Sequence, residues 1–141
     1  MHNTSSASNC SSILGGNQNY ITGSSTSMIG GGTSNTILRA SSADVNNSIL
    51  GGSNHTLSGC NNTIIGGVQN TSSAEMSIIG AGCSNYINDG YLNFIGAGSG
   101  NTINSALGAT IVGGQNNCLT NASNGFIGSG TCNTLNGSTS E

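Results

Sequence analysis

Ser77-Ile78-Ile79-Gly80-Ala81-Gly82-Cys83-Ser84-Asn85-Tyr86-Ile87 carries the frame Ile-x-x-Gly-x-x-Asn-x-(Ile/Leu) between Ile79 and Ile87. The frame recurs eight times, and self-similarity at a fixed period defines a stacked-repeat architecture before local propensity is weighed. Its isoleucines are Ile13, Ile29, Ile49, Ile64, Ile79, Ile95, Ile111 and Ile127, and its glycines are Gly16, Gly32, Gly52, Gly67, Gly82, Gly98, Gly114 and Gly130. The asparagine slot holds Asn19, Asn35, Asn70, Asn85, Asn101, Asn117 and Asn133, with His55 in the remaining place. The second aliphatic row is Ile21, Ile37, Leu57, Ile87, Ile103, Leu119 and Leu135, interrupted by Ser72. Asn3 lies one period before Asn19, so a partial repeat opens the chain.

Successive asparagine slots are spaced by 16, 20, 15, 15, 16, 16 and 16 residues. One coil therefore carries about four extra residues, which places a loop insertion at about 38–47. The two aliphatic rows lie half a period apart and divide each coil into two short strands joined by two corners. A helical hairpin repeat needs roughly twice this period. Pro-free segments rich in Gly, Asn, Ser and Thr are also poor helix formers. The expectation is all-β: a parallel β-solenoid of about eight to nine coils of 15–16 residues, in one domain over 1–141.

Strand alternation assigns roles, because neighbouring side chains face opposite ways. With the frame isoleucine inward, the positions two before it (Ser11, Ser27, Ser77) and two after it (Gly15, Gly31, Ala81, Ala97, Ser129) are expected inward as well, and they are small. The frame glycine is expected at a corner requiring positive φ. The asparagines are expected to stack, bonding to turn backbone or to their equivalents in adjacent coils. Outward, each coil carries one large apolar residue beside the isoleucine. Leu14, Leu50, Ile65 and Val112 follow it, whereas Met28, Ile78, Phe94 and Phe126 precede it. The other strand shows Thr36, Thr56, Thr71, Thr102, Thr134, Tyr20 and Tyr86 outward, with Ser58, Asn88, Asn104, Thr120 and Asn136 two places on. One face is thus apolar along its length and the other polar. A continuous exposed apolar face is an association surface.

Composition narrows the function. Aromatic residues are 4% and charged residues 4%, so a large globular core is excluded. The net charge is −3, with Arg39 the only basic residue apart from His2 and His55. Phosphates cannot be neutralised, which argues against nucleic acid as a partner. No stretch has the length or apolarity of a membrane span, and Met-His-Asn-Thr-Ser-Ser lacks the basic and apolar regions of a signal peptide. Arg39, Asp44, Glu75 and Asp89 fall in the corner after the second strand.

Catalytic constellations find little footing. Gly30-Gly31-Gly32 has no following helix pattern and no lysine for a nucleotide, so it reads as a structural corner. His55 reads as a polar filler in an asparagine slot, and no Ser, His and acid set stands out by spacing. Cys10, Cys60, Cys83, Cys118 and Cys132 lack paired metal spacing and read as small unreactive residues. The sequons at Asn46, Asn61, Asn70 and Asn121 are what chance provides in so Asn- and Ser-rich a chain. No cofactor is expected. Tyr20, Tyr86 and Tyr91 offer rings that could stack on sugars; with Arg39, Asp44 and Asp89 they make up the surface recognition candidates.

The 77–87 stretch and Ser27-Met28-Ile29-Gly30-Gly31-Gly32-Thr33-Ser34-Asn35-Thr36-Ile37 resemble the head repeats of YadA-like trimeric adhesins and the glycine-rich repeats of phage and virus fibre proteins. The resemblance covers nearly the whole chain and implies a left-handed β-roll, three copies around a common axis, and work as a fibre or adhesive head on a virion or cell surface. It implies host surface glycans or proteins, or other virion proteins, as partners beyond the chain itself. The repeat here is longer than in those adhesins, and no stalk or coiled coil is seen. On this reading the homotrimer contacts are Leu14, Met28, Leu50, Ile65, Ile78, Phe94, Val112 and Phe126. Asn19-Tyr20-Ile21-Thr22-Gly23 and Asn54-His55-Thr56-Leu57-Ser58-Gly59 look like the short repeats of the ryegrass antifreeze β-roll, which implies ice binding as the rival class.

Overall fold

The computed structural model describes residues 2–7, 9–38 and 46–137. They form two parallel sheets that the chain visits in alternation. The nine-stranded sheet contains β1 (Thr4–Ser6), β3 (Tyr20–Thr22), β5 (Thr36–Ile37), β7 (Thr56–Leu57), β9 (Thr71–Ser72), β11 (Tyr86–Tyr91), β13 (Thr102–Leu107), β15 (Cys118–Thr120) and β17 (Thr134–Asn136), in that spatial order. The eight-stranded sheet contains β2 (Ser12–Ile13), β4 (Met28–Ile29), β6 (Ser48–Ile49), β8 (Thr63–Ile64), β10 (Ile78–Ile79), β12 (Phe94–Ile95), β14 (Thr110–Ile111) and β16 (Phe126–Ile127). Each strand pairs with the strand one coil away, which is a β-solenoid. The opening partial repeat is present as β1, in register with β3. No described helix is long and apolar enough to cross a membrane.

The core is two facing columns of aliphatic side chains. Ile29, Ile49, Ile64, Ile79, Ile95 and Ile111 stack from one sheet, and Ile21, Ile37, Leu57, Ile87, Ile103 and Leu119 from the other, all fully buried. Ser72 occupies the aliphatic slot between Leu57 and Ile87, with its hydroxyl buried and lacking a hydrogen-bond partner. Every frame glycine has positive φ, from 87° at Gly16 to 116° at Gly130. The asparagines run up the adjoining corner: a backbone N–H donates to the side-chain oxygen of the asparagine one coil earlier, as in Asn101 to Asn85 (3.1 Å) and Asn117 to Asn101 (3.0 Å), except that Asn70 N–H donates to His55 Nδ1 (3.1 Å). Their Nδ2 groups donate both within the corner and to the next coil, as Asn101 does to Ala97 O (3.1 Å) and Gly114 O (3.0 Å). These bonds satisfy buried carbonyls that the tight corner would otherwise strand.

Two expectations need correction. Gly15, Gly31, Ala81, Ala97 and Ser129 do not face the bore. Ala81, Ala97 and Ser129 are exposed, and a Cβ at Gly15 or Gly31 would meet nothing within 4 Å. The strands of this sheet are two residues long, so alternation ends at the isoleucine and the chain turns outward at once. The positions two before it do face inward: Ser27 and Ser77 are buried and Ser11 is half-buried. The second correction concerns the insertion, whose residues 39–45 lie outside the described residues. Asn47, assigned to it, is buried and belongs to the next coil.

Asn47 opens onto a feature that the repeat frame passes over. Asn62 N–H donates to Asn47 Oδ1 (2.9 Å), Ser77 N–H to Asn62 Oδ1 (2.9 Å), Asn93 N–H to Ser77 Oγ (3.1 Å) and Ala109 N–H to Asn93 Oδ1 (2.9 Å). This second polar column climbs the opposite corner. Gly59-x-x-Asn62-x-Ile64 and Gly90-x-x-Asn93-x-Ile95 repeat the spacing of the main frame half a coil out of step, and that is the signal that would have revealed it.

Candidate interaction surfaces

The eight-stranded sheet turns one side to the core and one to water. On its outer side the positions preceding the isoleucine align as Ser12, Met28, Ser48, Thr63, Ile78, Phe94, Thr110 and Phe126. The positions following it align beside them: Leu14 N–H bonds Ile29 O, Leu50 N–H bonds Ile64 O, and Val112 N–H bonds Ile127 O, each at 3.0 Å. Every coil thus presents one large apolar side chain. Leu14, Leu50, Ile65, Ile78, Phe94, Val112 and Phe126 are 38–72% exposed, and Met28 is half-buried.

Where the large residue precedes, glycine follows, and packing gives a reason. A Cβ on Gly30, Gly80 or Gly96 would collide with the backbone of the next coil. At Gly96 and Gly128 the ring of Phe94 or Phe126 also leans close, within 3.3 Å and 3.4 Å of where that Cβ would stand.

The apolar surface continues round one corner. Met76, Tyr91, Leu92 and Leu107 are 36–54% exposed, with Tyr91 paired in register to Leu107. Leu92 has φ +58° and Met76 φ +48°, a left-handed turn that aims both side chains off the corner just before Ile78 and Phe94. The sequence pattern did not single out Met76, Leu92 or Leu107. Tyr91, expected among polar surroundings, sits in this apolar company.

The nine-stranded sheet presents a different outer side. Thr4, Tyr20, Thr36, Thr56, Thr71, Tyr86, Thr102, Cys118 and Thr134 align strand by strand. A second outward row holds Asn88, Asn104, Thr120 and Asn136 in register, with an Asn88 Nδ2 to Asn104 Oδ1 bond of 2.8 Å. Tyr20 and Tyr86 are exposed on this sheet, whereas Asp89 projects from the corner, its carboxylate accepting from Gly90 N–H at 2.8 Å. Arg39 and Asp44 lie outside the described residues. The tyrosines and Asp89 are spread over the sheet and its corner, so the described recognition candidates do not converge on one pocket.

The remaining chemistry is sparse. No group of three or more His, Cys, Asp or Glu side chains converges among the described residues. Cys60 is buried, Cys118 half-buried, and Cys10, Cys83 and Cys132 exposed, none of them in a disulfide. His55 is buried, its Nδ1 accepting from Asn70 N–H at 3.1 Å, and desolvation by burial lowers its pKa from 6.5. Asn70 is itself buried in the column, which closes its sequon to modification.

These features define a class: a β-solenoid repeat protein with one apolar and one polar outer face. No protein-family model, curated protein or solved structure matches the chain.

Proposed function

We propose that the chain is a non-catalytic structural or adhesive module, assembled as a homotrimer and displayed as part of a fibre on a virion or cell surface. The observation that carries this reading is the exposed apolar row from Leu14 to Phe126, which runs the length of one sheet. Apolar surface of that continuity is unfavourable in water and is covered by association. Copies of the chain cover it, leaving the polar sheet and the corners with Tyr20, Tyr86, Asp89 and Tyr91 turned outward. Those surfaces, with Arg39 and Asp44 of the insertion, meet a host glycan or protein or a neighbouring virion protein. Light scattering coupled to gel filtration tests the reading: three chain masses are expected, and a stable monomer at micromolar concentration overturns it.

A second reading, ice binding, is favoured by one observation. The nine-stranded sheet carries in-register rows of short polar side chains, repeating along the stack at the strand spacing of about 4.7–4.9 Å. It ranks second because Tyr20, Tyr86 and Cys118 interrupt the threonine row. A monomer that shapes ice into facets and opens a freezing-point gap, losing both when Thr36 and Thr56 become bulky, would establish it in place of the fibre.

A further inference from the structure

The asparagine column has one foreign member, and its bonding differs from its neighbours'. Asn35 donates through Nδ2 to Gly31 O and Gly52 O, both at 3.0 Å, and accepts from His55 N–H at 3.1 Å. His55 keeps the vertical contact only by using Nδ1 as an acceptor for Asn70 N–H, which fixes the neutral tautomer protonated at Nε2. Nε2 is buried and finds no hydrogen-bond partner of ordinary geometry, although the Gly67 backbone lies close enough to favour its protonated form. Asparagine satisfies this corner in any ionisation state of the medium; histidine does so only while neutral.

We propose that His55 is a pH-sensitive breakpoint in the stack, whose protonation opens the contact between β7 and β9. An imidazolium would turn an N–H toward the N–H of Asn70, replacing a hydrogen bond with two opposed donors, and would leave a charge buried without a counter-ion. The groups packed around the ring are Gly52 in its own corner, Asn35 on the coil before, and Gly67 and Asn70 on the coil after. None of them titrates or carries charge. The described carboxylates, Glu75 and Asp89, belong to the opposite corner.

The sign follows from linkage. Above about pH 6.5 the closed and open forms are both neutral at this site and the contact keeps its full stability. As pH falls below that value the open form takes up the proton first, because burial lowers the affinity of the closed form. The contact weakens until the lowered closed-state value is passed, and then the loss levels off.

Amide hydrogen exchange, corrected for the intrinsic pH dependence, reads the opening directly. The protection of Asn70 N–H is expected to fall about ten- to thirtyfold between pH 7.5 and pH 5, the limit set by an open-state pKa near 6.5. The amides of Asn101 and Asn117, which bond asparagine oxygens, should hold theirs. His55→Asn, which installs the residue used at the other positions of the column, should abolish the difference. An equal loss at all three amides, retention of the effect in His55→Asn, or a folded-state titration of the His55 ring at or above 6.5 would each overturn the proposal.

Discussion

At the scale of single residues, the corner glycine is the least replaceable position. Gly98 has φ +100°, and a side chain there would collide with Gly114 O and the Asn101 amide. Gly98→Val thus combines backbone strain of about 1–3 kcal/mol with the displacement of a neighbouring coil. A large drop in melting temperature is expected, and melting comparable to wild type would show that the corner does not need glycine. Ile95→Asp should prevent folding altogether, because the carboxylate would lie between Ile79 and Ile111 with no partner, and circular dichroism would read coil. Ser72 points the other way. Its buried hydroxyl is unpartnered and its stack neighbours are Leu57 and Ile87, so Ser72→Val should stabilise by about 1–2 kcal/mol, seen as a higher denaturation midpoint. The glycine and asparagine rows were legible in the sequence because each slot admits almost one residue type. The second column was less legible, because Ser27, Asn47, Asn62, Ser77 and Asn93 satisfy the same corner with mixed chemistry, and only the Gly59-to-Ile64 and Gly90-to-Ile95 stretches repeat the frame spacing.

At the scale of elements, two-residue strands decide what faces where. Period-2 alternation holds for the positions flanking the isoleucine and fails one residue later, where the chain has already turned at Gly15, Gly31 and Ala81. Sequence pattern carries the direction of a side chain only while the strand lasts. The two outer faces survive this limit, since each needs no more than the residue on either side of a buried one. They are expected to respond oppositely to charge. If copies of the chain cover the apolar row as proposed, Phe94→Asp should dissociate or unfold the assembly, because the carboxylate would be desolvated there. Thr102→Asp, outward on the polar sheet, should leave both mass and melting unchanged. Equal tolerance of the two substitutions by light scattering would mean that the apolar row stays uncovered. The corner patch of Met76, Tyr91, Leu92 and Leu107 escaped the pattern for a related reason: left-handed turns set its direction, and Met, Leu and Tyr announce none.

At the scale of the whole molecule, stacking makes stability a sum of neighbouring coils, so one irregular coil is tolerated where its rungs stay in place. The irregularity is the 20-residue step from Asn35 to His55. On either side of it the ladder is unbroken: Thr36 N–H bonds His55 O at 2.7 Å, Leu38 N–H bonds Leu57 O at 2.8 Å, and Met28 N–H bonds Asn47 O at 2.9 Å. Those bonds fix β4 against β6 and β5 against β7 without requiring the extra residues between Leu38 and Asn46. Deleting Ala40 to Ala43 restores the 16-residue step of most other coils, so the expected outcome is an unchanged melting temperature and an unchanged assembly mass. On the proposed adhesive role, extra length at a corner serves display, and the same deletion should then weaken attachment to a cell surface, glycan or virion protein. A deletion variant that melts much earlier would assign these residues to the scaffold instead, and one that attaches as well as wild type would move recognition to the polar sheet bearing Tyr20 and Tyr86.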